Sequence, residues 1–83
     1  MTITLTDVLE YEAQLSADTH KILSLIKPFF TEHYGKAGDD RAELWLEMPN
    51  PLLGGLRPID MIKQGRTAKL KKFIETCLRE NER

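Results

Sequence analysis

The stretch that decides the fold is Ala42-Glu43-Leu44-Trp45-Leu46-Glu47-Met48-Pro49-Asn50-Pro51-Leu52-Leu53-Gly54-Gly55-Leu56-Arg57-Pro58-Ile59-Asp60-Met61-Ile62. Ala42, Trp45, Leu46 and Met48 recur at helical spacing, and Pro49-Asn50-Pro51 then stops the helix, because a residue before proline avoids the α region. Asn50 is placed to bond its neighbouring backbone and close the turn. Leu53 is expected to tuck between two helices, while Gly54 and Gly55 permit positive φ at little cost. Pro58 suits the first position of a short helix, Ile59 to Gln64, ended by Gly65. Asp60 falls in the first turn of that helix, where a carboxylate suits the dipole and faces Arg57. Trp45 is expected as the large buried anchor. Trp45, Pro49, Asn50, Leu53, Gly54, Gly55 and Pro58 thus form a structural motif: a helix, a tight corner and a second helix.

Working outward, the last helix is expected from about Arg66 to Asn81, with an apolar stripe of Leu70, Phe73, Ile74, Cys77 and Leu78. Upstream, Gly35-Lys36-Ala37-Gly38-Asp39-Asp40 reads as a loop, with Asp39 or Asp40 capping the Trp45 helix. Ile22, Leu25, Ile26 and Phe29 mark one face of an earlier helix, widened by Leu23 and Phe30. Pro28 predicts a kink or restart near Lys27, and the restarted turn is expected to end at Gly35 as a left-handed cap. Thr6-Asp7 reads as the first helix start, and Ser16 as the cap of a second segment. Thr2–Leu5 alone alternates in the manner of a strand. The expected fold is all-α: a small bundle of four to five helices with the Pro-Asn/Leu-Gly-Gly turn between two central ones. Residues 1–38 form an N-terminal helical segment and 39–83 a second helical region, within a single compact domain.

The whole chain has 83 residues, 41% hydrophobic and 30% charged, the composition of an ordinary globular domain. A domain this small buries only ~60% of its unfolded surface, so self-association or a bound protein is expected. Charge is uneven: residues 1–62 carry five Lys/Arg against ten Asp/Glu, and residues 63–83 carry seven against three. The basic end is a solvated helix face or a surface for an acidic partner. No apolar run approaches the ~20 residues of a membrane span, and the N-terminus lacks the look of a secretory signal. With a single cysteine as well, a cytoplasmic protein is expected.

Catalysis finds no support in the inventory. His20 and His33 belong to no zinc-ligand pattern, and Gly54-Gly55 matches neither a dinucleotide fingerprint nor a P-loop. Cys77 sits on an apolar stripe without a positioned base. The expectation is a protein that is not an enzyme and uses no metal or cofactor.

Ala42, Trp45, Pro49-Asn50, Leu53-Gly54-Gly55, Pro58 and the Asp60-Met61-Ile62 helix, continued by Gly65, Leu70 and Ile74, resemble the toxin-binding domain of bacterial Xre/MbcA/ParS antitoxins. The resemblance covers residues 40–78. It implies a type II antitoxin that neutralises an NAD-consuming RES-domain toxin by covering its active site. Residues 1–39 are shorter than the helix-turn-helix domain usual in that family, and the chain's last helix ends without the family's closing glycine. The expected contact surface joins Leu52, Leu56, Arg57 and Met61, the apolar ones as anchors if exposed, to Lys69, Lys72, Arg79 and Arg83, which would steer towards an acidic cleft rim. Two alternatives are a small regulator binding operator DNA through the basic tail, and a stand-alone member of the family binding an unrelated protein.

Overall fold

The structure, a computed structural model, describes the backbone of residues 2–81. Among these residues every regular element is helical: α1 Leu5–Tyr34, α2 Gly38–Glu47, α3 Pro58–Lys63 and α4 Thr67–Asn81. Short 3-10 turns at Gly35–Ala37 and Pro51–Leu53 join α1 to α2 and begin the α2–α3 corner. One buried cluster draws on each helix: Ile22 and Ile26, Ala42 and Leu46, Met61 and Ile62, Leu70 and Ile74.

Residues 5–34 differ from the sequence expectation. They form one continuous helix of 30 residues in place of two segments and a restart. Thr4 starts it: its hydroxyl accepts from the Asp7 N–H at 3.1 Å, and the Asp7 carboxylate accepts from the Thr4 N–H at 3.0 Å. That reciprocal cap draws Leu5 into the helix, so Thr2–Leu5 is no strand. Ser16 lies mid-helix. Pro28 is tolerated because it is exposed, on the side of α1 opposite Ile22 and Ile26. The carbonyl left without its helical donor therefore faces solvent.

Gly35 ends α1 at φ 61° and ψ −127°, a positive-φ conformation outside the left-handed helical basin expected for it. Helix α2 begins at Gly38, so Asp39 and Asp40 occupy its first turn instead of capping it. There they complement the helix dipole. Gly38 itself is buried against α1: a Cβ at this position would stand 2.6 Å from the Thr31 backbone N and Cα and 2.8 Å from the Phe30 carbonyl carbon. Only a glycine lets the start of α2 come this close, and the tight reversal folds α2 back along the C-terminal half of α1.

Candidate protein-docking groove

Asn50 organises the corner between α2 and α3. Its side-chain oxygen accepts from the Leu52 N–H at 2.9 Å, and its carbonyl accepts from Leu53 at 2.9 Å and Gly55 at 3.0 Å. Its own N–H donates to the Leu56 carbonyl at 3.0 Å, closing the loop. Gly54 at φ 70° and Gly55 at φ 83° supply the positive dihedrals this reversal requires. Helix α3 is anchored at both ends. At its start, Arg57 grips the Asp60 carboxylate through Nε at 3.0 Å and a second guanidinium nitrogen at 2.8 Å. That two-pronged bond holds the Asp60 carboxyl below the usual carboxylate range and raises the Arg57 guanidinium further. At its end, Gly65 donates to the Ile62 carbonyl and Arg66 to the Met61 carbonyl, the paired closure of a helix ending in glycine.

Beside this corner lies an open apolar groove of about 250 Å³. Ile26, Phe29 and Phe30 of α1 form one wall, and Phe73, Ile74, Cys77 and Leu78 of α4 the other. Trp45 of α2, with Asn50 and Leu52 of the corner, completes the lining. Phe29 and Phe30 meet edge to face, their ring centroids 5.6 Å apart. Burial and the nearby Glu80 push the Cys77 thiol up from its ordinary value, so at neutral pH it is a protonated lining group rather than a nucleophile. The described residues contain no cluster of three or more metal-ligating side chains. No described helix is long and apolar enough to cross a membrane. The groove suits an apolar side chain presented by another protein.

The expected contact residues divide into three groups. Leu52 is 77% exposed at the groove's edge. Lys69, Lys72 and Arg79 are exposed along α4. Leu56 and Arg57 are half-buried, the first packed against the core and the second occupied by Asp60. Met61 belongs to the core at 6% exposure, because the short α3 turns it inward beside Ile62, and it is not a surface anchor. Arg83 lies outside the described residues. Among the motif residues, Pro58 is fully buried and Leu53 half-buried against the core. Trp45 is also only half-buried, because one side of it lines the groove.

Helical spacing places Phe29, Phe30 and Phe73 on core stripes, whereas the structure leaves them half-buried in the lining of the groove. Periodicity does not distinguish a filled core from a half-open one. The only trace was the adjacency of Phe29 and Phe30, too wide a pair for one narrow stripe.

No curated protein and no solved structure matches the chain. Residues 34–70, from the end of α1 through the Asn50 corner into α4, match the family described as the antitoxin Xre/MbcA/ParS C-terminal toxin-binding domain. Over that segment, a little under half of the chain, the protein is similar to the Xre/MbcA/ParS toxin-binding family.

Proposed function

We propose that this chain is a protein-binding module of a type II toxin–antitoxin pair, which neutralises an NAD-consuming RES-type toxin by covering its active site. The observation that carries the reading is the family match over residues 34–70, the segment that builds the Asn50 corner and supplies one edge of the apolar groove. Leu52 and the aromatic lining are the anchors, since exposed apolar groups beside a preformed hollow give most of the affinity at a protein interface. Lys69, Lys72 and Arg79 line the exposed side of α4 and steer an acidic rim into register. The chain itself contributes no catalysis, acts in the cytoplasm, and self-associates. Co-expression with a RES-domain protein encoded beside it tests this reading. The chain is expected to co-purify with that protein and restore growth, and Leu52→Asp to lose both effects while staying folded. Unrescued growth with the wild-type chain sinks the toxin–antitoxin assignment.

A further inference from the structure

The first half of α1 is largely exposed and carries Leu5, Val8, Leu9 and Tyr11 on its surface. Helix α1 spans about 45 Å at 1.5 Å per residue, nearly the molecule's longest dimension of 49 Å. The other helices pack mainly on its second half. Ile3, Leu5 and Leu9 stand 75%, 87% and 66% exposed. The total accessible surface is 6336 Å², whereas a compact monomer of 9.6 kDa exposes about 5,100 Å². The excess, roughly 1,200 Å², is larger than the ~800 Å² that each partner gives to a standard stable interface. The radius of gyration, 14.3 Å against about 12 Å for a compact chain of this length, reflects the same protruding arm.

The arm's sequence indicates what covers it. Leu9, Glu12, Ser16, His20 and Leu23 are spaced three and four residues apart and so share one stripe of α1. The stripe is symmetric about Ser16: Glu12 and His20 each lie four residues away, and Leu9 and Leu23 each lie seven away. Glu12, Ser16, His20 and Leu23 also line a shallow hollow with Leu15, Thr19 and Ile59. We propose that α1 docks antiparallel against α1 of a second copy of this chain, with Ser16 on the two-fold axis. Two copies crossing there place each Glu12 carboxylate opposite a His20 imidazole and each Leu9 opposite a Leu23. A parallel pairing instead stacks Glu12 on Glu12, a like-charge contact that opposes assembly. The small Ser16 lets the two helices approach closely at the axis. This surface lies on α1 outside the groove assigned to the toxin, so either assignment can fail without the other.

Sedimentation equilibrium of the full chain, alone at about 100 µM, tests the proposal together with cysteine crosslinking. The expected mass is twice 9.6 kDa. Leu9→Asp is expected to weaken the dimer at least tenfold with helical content unchanged, because Leu9 is exposed in the single copy. Ser16→Cys is expected to give a covalent dimer under a short bis-maleimide, with the wild-type chain as the blank for Cys77. Thr6→Cys is not, since antiparallel pairing sets the two sixth residues about 30 Å apart. A monomer at that concentration, a dimer indifferent to Leu9→Asp, or crosslinking at residue 6 instead of 16 overturns the proposal.

Discussion

The two ends of the molecule are held by different forces. From Gly38 to Arg66 the chain is pinned by contacts between elements: a glycine pressed on the Thr31 backbone, the Asn50 loop, the Arg57–Asp60 grip and the closure at Gly65. Over residues 5–14, α1 is held by its own helical bonds, the Thr4–Asp7 cap and, among the described residues, one outside hydrogen bond, from the Tyr11 hydroxyl to the Lys63 carbonyl at 3.2 Å. A further tie sits where the arm meets the bundle, from the Thr67 hydroxyl to Asp18 at 3.1 Å. The corner is therefore a cooperative unit whose residues fail together, and the arm a helix whose first turns open locally. On the proposed reading, rigidity belongs beside the groove that would hold a partner, and the exposed arm is the surface proposed for assembly.

The sharpest way to break this contrast is Gly38→Ala. The added methyl meets backbone atoms that cannot step aside, and about 3 kcal/mol of unfolding free energy is expected to vanish in a urea titration. A loss below about 0.5 kcal/mol would mean that α2 does not rest on α1 as described. Next comes Asn50→Ala, which leaves the Leu52 N–H without its acceptor and is expected to cost about 1–2 kcal/mol. Asn50→Asp keeps the accepting oxygen and should cost clearly less in the same titration.

These positions also mark what was legible in the sequence. Asn50, Gly54, Pro58, Gly65 and the Arg57–Asp60 pair act on residues within six positions of themselves, so local chemistry announces them. Gly38 looks like any loop glycine until α1 is laid against it. Pro28 looks like a break until its face of α1 proves to point at solvent. Trp45 and the three phenylalanines read as core, because periodicity records which face is apolar and not whether another element fills the space beside it. The corner was written locally, whereas the groove exists only as the gap left between α1 and α4.

Acid sharpens the comparison. The Asp60 carboxyl is held below its ordinary range by the Arg57 side chain, and the Asp7 carboxyl by the Thr4 backbone and hydroxyl. A depressed carboxyl stabilises the fold above its unfolded pKa, and that contribution is lost as pH falls through the folded value. Below about pH 4 both are expected to fail, with different consequences. Asp60→Asn is expected to lower the global melting temperature at pH 7 and to flatten the acid limb of the stability curve. Asp7→Asn is expected to speed amide exchange in the first turns of α1 and leave the global transition in place. Equal global effects would erase the distinction between corner and arm.

The smallest effect belongs to the arm's apolar surface. Leu5→Ser removes a side chain 87% exposed in the single copy and is expected to change monomer stability, measured under dissociating dilution, by less than about 0.5 kcal/mol. A loss of 2 kcal/mol would place Leu5 inside a core that the structure does not show.

The central claim is that the groove edge at Leu52 receives a protein partner. It is tested most directly by calorimetric titration of the purified chain, wild type and Leu52→Asp, with a RES-domain protein encoded beside it. Loss of an anchor at a protein interface costs about 2 kcal/mol, so the variant is expected to bind roughly 30-fold more weakly at an unchanged melting temperature. Equal affinity of the two chains would contradict the account.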